Sequence, residues 1–257
     1  QVAGDNIVNA TEAAGAIILT GTAQAGSTVS VAWNGTTLPA TVGANGTWSV
    51  SFPGAAGGTY SSTATVTATD AYGNTATATR TIQVDTETSV AVNPGQAGGD
   101  NTVSGSEATS GLQLTGTAEA GATVRVTFEG ITRTVTAGAN GTWTANWTAA
   151  EVRPGSYAST VQVSASDAAG NTASTSYQIN VDTEVNPFQR STLSTGSDQI
   201  VNAVEAAAGL TVTGIVEAGS TVVVRFGSGQ SRTATVGADG KWTLTIPAGD
   251  IPAGENT

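Results

Sequence analysis

The sequence predicts an all-β protein made of tandem antiparallel β-sandwich domains, and three observations carry that reading. Gly, Ala, Thr, Ser and Val dominate a 257-residue chain with 5% aromatic and 11% charged side chains, which suits short strands joined by glycine turns better than helices. Apolar and polar residues alternate over short runs, the period of a half-buried strand. The sequence also repeats itself about every 97 residues, too long for a solenoid unit and matched to a sandwich domain of roughly 100 residues.

The repetition is read from five motifs. "GTAQAGSTV" at Gly21 recurs as "GTAEAGATV" at Gly116 and "GIVEAGSTV" at Gly214; "GANGTW" at Gly43 recurs at Gly138 and as "GADGKW" at Gly237. "DAYGNTAT" at Asp70 recurs as "DAAGNTAS" at Asp167, "VDTE" at Val84 recurs at Val181, and "GDNIVNATEA" at Gly4 recurs as "GDNTVSGSEA" at Gly99 and "SDQIVNAVEA" at Ser197. The boundaries that follow are 1–85, 86–182 and 183–257. The first copy lacks its opening strand, the second is complete, and the third stops before its own DAxGN and VDTE. With no initiating Met, the chain reads as part of a longer one.

In the complete copy, alternation predicts strands at about 88–93, 111–119, 122–129, 131–137, 142–148, 156–166 and 172–181. Val124, Val126 and Phe128 share one face of the third, as Val29, Val31 and Trp33 do in the first copy and Val222, Val224 and Phe226 in the last. Asn45-Gly46, Asn140-Gly141 and Asp239-Gly240 read as tight hairpin turns, because both residue types tolerate positive φ. Trp48, Trp143 and Trp242 follow these turns in apolar register and are read as core, against an alternative in which they stack on a sugar.

Charge and composition exclude several functions. A net charge of −11 and eight scattered basic residues oppose binding to nucleic acid or to an anionic membrane surface. No run of 18 apolar residues offers a membrane span. Cys and His are absent, which removes disulfides, thiolate or imidazole metal sites and any His-assisted nucleophile.

Carboxylates concentrate in the recurring motifs. Asp5, Glu12, Asp70, Asp85, Glu87, Asp100, Glu107, Asp167, Asp182, Glu184, Asp198 and Glu205 are 12 of the 19 acidic residues. If strands alternate in direction, the end of one domain meets the start of the next, and the first joint gathers Asp5, Glu12, Asp85, Glu87, Asp167 and Asn171. The second gathers Asp100, Glu107, Asp182 and Glu184. Crowded carboxylates repel one another unless a cation neutralises them. Ca2+ suits them best, since it takes six to eight oxygens in flexible geometry; Mg2+ ranks second, and Zn2+ lacks its usual ligands here. The alternative is that these acids are solvated loop residues. Gln24 stands where the other copies have Glu119 and Glu217, which argues against that loop as a necessary metal site. Without a cation the connector "VDTETSVAVNPGQAGGDN" is expected to swing.

Taken together, "DNIVNATEA", "GTAQAGSTV", "GANGTW", "DAYGNTAT" and "VDTE" resemble the bacterial Ig-like repeats of very large surface adhesins, the biofilm-associated and repeats-in-toxin adhesins exported by type I secretion. The resemblance implies Ig-like sandwiches in an elongated array that hold a distal adhesive region away from the bacterial cell surface, outside the cell. It also implies several Ca2+ ions at the joints, with Asp5, Glu12, Asp85, Glu87, Asp100, Asp167 and Asp182 carried over as ligands. The partners implied are the neighbouring repeats; the adhesive target is unknown. Rival readings are a carbohydrate- or ice-binding module, a surface-layer or filament subunit, and, least supported, an enzyme using paired carboxylates.

Overall fold

The computed structural model describes residues 4–195, 200–226 and 229–251. The chain divides into two compact units, one of residues 1–103, 107–153 and 158–180 and the other of 104–106, 154–157 and 181–257.

The first copy contributes β1 (Ile7–Val8), a short helix α1 (Ala10–Ala13), β2 (Ile17–Thr22), β3 (Thr28–Trp33), β4 (Thr36–Thr41), β5 (Thr47–Phe52), β6 (Thr59–Thr69) and β7 (Thr75–Asp85). They form one sheet of order β1-β7-β6-β3-β4 and a second of β2-β5. The second copy has β8 (Val90–Val92), β9 (Thr102–Ser104), helix α2 (Gly105–Ala108), β10 (Leu112–Ala118), β11 (Thr123–Phe128), β12 (Ile131–Thr136), β13 (Thr142–Trp147), β14 (Ser156–Ser166) and β15 (Thr172–Asp182). Its sheets run β13-β10-β8 and β12-β11-β14-β15-β9. The third copy has β16 (Phe188–Leu193), helix α3 (Ala203–Ala208), β17 (Leu210–Val216), β18 (Val222–Phe226), β19 (Gln230–Val236) and β20 (Lys241–Ile246), in a sheet of order β16-β17-β20-β19-β18.

All seven strands expected in the second copy are present, and β9 and α2 are added between the first two. Three residues of strand and four of helix are too short to show a period. In the first copy the corresponding β1 runs parallel to β7, with Ile7 opposite Gln83 and Val8 opposite Val84. The carboxylate motif therefore does not sit in one loop: its Asp precedes this strand and its Glu follows it.

The hairpin turns also differ from the expected two-residue form. Gly46, Gly141 and Gly240 have φ of 75–76°, while Asn45, Asn140 and Asp239 do not enter the left-handed region. Gly43 N–H bonds Thr47 O at 2.8 Å and Gly46 N–H bonds Gly43 O at 2.9 Å, a longer loop with a left-handed glycine at its bulge. The Asn45 carboxamide oxygen accepts from the Thr47 N–H (3.1 Å) and hydroxyl (2.7 Å), so the polar residue holds the turn through its side chain. True two-residue turns lie elsewhere, at Asn34-Gly35 and Glu129-Gly130, where both residues have positive φ.

Each core is built around a Gly–Trp pair across neighbouring strands: Gly21 opposite Trp48, Gly116 opposite Trp143, and Gly214 opposite Trp242. A Cβ on these glycines would stand 2.3–2.6 Å from the indole ring, which explains why each copy keeps Gly inside a strand. A second aromatic pair is exchanged between copies. Trp33 meets Phe52 edge-on at 5.4 Å, and at the corresponding positions Phe128 meets Trp147 at 5.8 Å, so summed volume is kept while the partners swap.

Gly116→Ala is expected to destabilise the second copy by about 1–3 kcal/mol through overpacking, since the new methyl would also stand 2.1 Å from Ala91 O. Urea unfolding followed by Trp fluorescence checks this; an unchanged midpoint would mean that the indole can yield.

Candidate functional site

Each recurring carboxylate takes a local hydrogen-bonding role. Asp5 Oδ1 accepts from Ile7 N–H at 2.9 Å and Asp100 Oδ1 from Thr102 N–H at 2.8 Å. In both, the intervening Asn6 or Asn101 has positive φ, so the Asp closes a turn that launches the following short strand. Glu12 is the third residue of α1, where its Oε2 accepts from Asn9 N–H (3.0 Å) while Asn9 Oδ1 accepts from Glu12 N–H (3.0 Å). Asn202 and Glu205 repeat this capping box on α3. Glu107 lies in the first turn of α2. The spacing of Asp and Glu is thus the length of one short strand plus one helical turn.

The VDT segment is locked in the same way in two copies. Asp85 Oδ1 accepts from the Thr59 hydroxyl (2.9 Å) and Thr86 Oγ1 from Gly58 N–H (2.8 Å). Asp182 Oδ1 accepts from the Ser156 hydroxyl (2.7 Å) and Thr183 Oγ1 from Gly155 N–H (2.8 Å). Glu87 and Glu184 are exposed. Asp198 lies outside the described residues.

The DAxGN loop is a self-closed turn. Asp167 accepts from Asn171 N–H through Oδ1 and from Asn171 Nδ2 through Oδ2, both at 2.8 Å. Asp70 and Asn74 repeat the closure in an exposed loop, and the Asn74 side chain, with backbone N–H groups, holds the Asp70 carboxyl below its usual range. In the second copy the loop also docks on the first. Buried Asn171 donates to Asp85 O (2.8 Å) and accepts from Ala10 N–H at the start of α1 (2.8 Å), and Asn9 Nδ2 donates to Ala169 O (3.2 Å). One carboxamide thus joins the end of β7, the start of α1 and its own loop.

Among the described residues, Asp85, Glu119 and Asp167 form a group in which one carboxylate oxygen from each lies within 4.8 Å of the other two. All three are half-buried. Burial first, then the charge of Asp85 and lastly that of Asp167, push the Glu119 carboxyl above its ordinary value, and the Thr88 hydroxyl draws it partly back. Asp5, Glu12 and Glu87 are not members of the group.

Glu119 is the residue that sequence reasoning set aside, because Gln24 replaces it in the first copy. A usable signal was present: Glu stands there in the two copies that follow another copy in this chain, and Gln in the one that does not. The counterpart Glu217 accepts from Asn186 N–H at 3.3 Å. Three converging carboxylates suit a hard cation of Ca2+ type.

Two outcomes follow. Asn171→Ala removes three part-buried hydrogen bonds, to Asp85 O, Ala10 N–H and the Asp167 carboxylate, and should destabilise the second copy by about 1–3 kcal/mol in denaturant unfolding. Because the Glu119 pKa is raised on folding, the metal-free protein binds more protons than the unfolded chain just above the ordinary value of 4.5, so stability falls as pH rises through that window. Thermal melts in chelator should show that slope, and Glu119→Gln should flatten it.

The bacterial Ig-like domain family matches this chain over residues 2–86 and 87–183. A solved structure concerned with host cell surface retention of a 1.5-MDa bacterial ice-binding adhesin is 30% identical, covering 97% of this chain and 85% of its own, with a TM-score of 0.45. A Ca2+-stabilized adhesin that helps an Antarctic bacterium reach out and bind ice is 34% identical, covering 97% of this chain and 65% of that one, with a TM-score of 0.44. A bacterial immunoglobulin-like domain from the M. primoryensis ice-binding adhesin is 33% identical over 37% of this chain and 96% of that one, with a TM-score of 0.29. A search of curated proteins gave no match. The repeated sandwich and these sequence matches agree: the chain belongs to the bacterial Ig-like domain family and is related to the Ig-like repeats of large bacterial adhesins.

Proposed function

We propose that this chain is an extender segment of a large adhesin on a bacterial cell surface, serving adhesion and biofilm formation, with Ca2+ stiffening the joints between its repeats. The observation that carries this is the convergence of Asp85 from the first repeat with Glu119 and Asp167 from the second, within 4.8 Å. These three would hold the ion, which would supply the charge neutralisation that the carboxylates lack. Counterparts of two of these residues recur further along the sequence, Asp182 in the second VDT motif and Glu217. The repeat boundaries at 85/86 and 182/183 rest on the motif offsets and on family matches ending at 86 and 183. Export by type I secretion, as for repeats-in-toxin adhesins, belongs to the same reading. No catalytic role is part of it.

The expected effect of the ion is on joint geometry more than on domain stability. A site binding at about 10⁻⁴–10⁻³ M gains only about 0.4–1.4 kcal/mol in millimolar Ca2+. The Asn171 bridge already fixes part of the joint without metal, so the ion would act on the segment from Thr86 to Ser89 and on the acidic side of the contact. The sugar-stacking alternative loses its platform, because Trp33, Trp48, Trp143, Trp147 and Trp242 are all buried.

Small-angle X-ray scattering of the 257-residue chain in Ca2+, in Mg2+ and in chelator tests the proposal. A narrower, more extended distance distribution in Ca2+ alone, blunted by Glu119→Gln, is the expected result. Identical profiles in all three conditions would mean that the joint acids are ordinary solvated groups.

A further inference from the structure

The parallel pairing of β1 with β7 is very short. It runs through two residues, Ile7 opposite Gln83 and Val8 opposite Val84, with Gln83 N–H bonded to Asn6 O at 3.2 Å. Parallel ladders bond at even spacing and hold slightly less per residue than antiparallel ones, so two residues give β1 a weak backbone grip. Val8 and Val84 are buried, yet the chain leaves the ladder at Asn9, which caps the four-residue α1.

The next rung of that ladder is supplied by the second repeat. Continued at the same spacing from Gln83 N–H and Asn6 O, the ladder would next join Val8 to Gln83 and Asp85, and then Ala10 N–H to Asp85 O. The Asn171 carboxamide lies between that last donor and acceptor: its Nδ2 donates to Asp85 O and its Oδ1 accepts from Ala10 N–H, both at 2.8 Å. A carboxamide carries the same donor and acceptor as a peptide group, so it extends the ladder as a peptide would. Beside it Asn9 Nδ2 donates to Ala169 O at 3.2 Å. Both carboxamides are oriented from within their own repeats, Asn171 by the Asp167 carboxylate and Asn9 by Glu12 N–H. Asn171 is 6% exposed and Ala169 9%, so water is poorly placed to replace these bonds.

We infer that the DAxGN loop of the second repeat is a clasp on the first: it closes the β1–β7 pair of the preceding repeat, so that β1 and α1 open when the second repeat undocks. The coupling has a direction. Of the three bonds across the joint, two land on the residues that follow β1 and one on the residue that ends β7, while all three come from a single turn of the second repeat. In the first repeat Asp70 and Asn74 close their loop in the same way, and there Asn74 is exposed. The two repeats are therefore coupled neighbours rather than independent beads, with a nearest-neighbour interaction centred on one side chain. This goes beyond the extender role and needs no cation, because every group in the clasp is neutral.

Hydrogen exchange of the full 257-residue chain in chelator tests the clasp. Amides of Ile7–Ala13 report on the first repeat, and those of Leu112–Ala118 report whether the second remains folded. Asn171→Ala is expected to speed exchange across Ile7–Ala13 by about tenfold, whereas Asn74→Ala, which removes the same closure from the exposed loop, should leave it unchanged. Asn9→Ser retains an oxygen to cap α1 but loses the amide that reaches Ala169; since coupling is reciprocal, exchange across Asp167–Asn171 should then rise in the second repeat. Unchanged exchange across Ile7–Ala13 in Asn171→Ala would overturn the inference, whether or not Leu112–Ala118 stays protected. An equal rise in Asn74→Ala would overturn it as well, by revealing a general loosening. If Asn171→Ala unfolds the second repeat, Asn9→Ser decides: faster exchange across Asp167–Asn171 supports the clasp, and unchanged exchange there refutes it.

Discussion

Four residues, Thr86 to Ser89, separate the last strand of the first repeat from the first strand of the second, and the joint is organised by that brevity. Both flanking strands are held in sheets, so the chain has little freedom in how the second sandwich follows the first. The long connector read from sequence as a swinging segment is mostly not free. Val90–Val92 pair with β10, Asn93 N–H bonds Thr115 O, and Gln96 is buried with its side chain bonded to Asn93 and Thr115. What remains is a short hinge flanked by hydrogen bonds.

That constraint brings unlike residues to one place. Asp85 arrives at the end of β7, Glu119 just after β10, and Asp167 at the β14–β15 turn; burial raises the Glu119 pKa, and the charges of Asp85 and Asp167 add to it. The carboxamide of Asn171 offsets part of the electrostatic tension by pinning the Asp167 carboxylate and the Asp85 carbonyl at once. The neutral hydrogen bonds of Asn171 thus set the approach of the two repeats, and the charge between them is left to the three carboxylates.

Much of the fold was legible because alternation and turn chemistry are local. The strands of the second repeat lie within two residues of their expected limits, and the residues placed on the inner face of β11, Val124, Val126 and Phe128, are fully buried. The candidate site was only partly legible. Asp85, Asp167 and Asn171 were expected at the first joint, and the structure brings them together; Asp5 and Glu12, expected there too, stand outside the carboxylate group, Asp5 closing a turn and Glu12 capping the helix whose start meets the docked loop. A two- or three-residue strand parallel to its neighbour leaves no periodic trace, so the sequence could not show that the recurring Asp and Glu lie on opposite sides of it.

By itself the sequence determined the repeat, its β-sandwich class, the core positions and the acidic character of the joints, because each follows from periods and residue chemistry read along the chain. Tertiary structure decided which acids meet. Glu119 joins Asp85 and Asp167 across 34 and 48 positions of sequence, a proximity set by sheet register and by the docking of one loop on the preceding repeat. The role of Gly116 was decided in the same way: its missing side chain has meaning only when Trp143 on the neighbouring strand is seen lying against it.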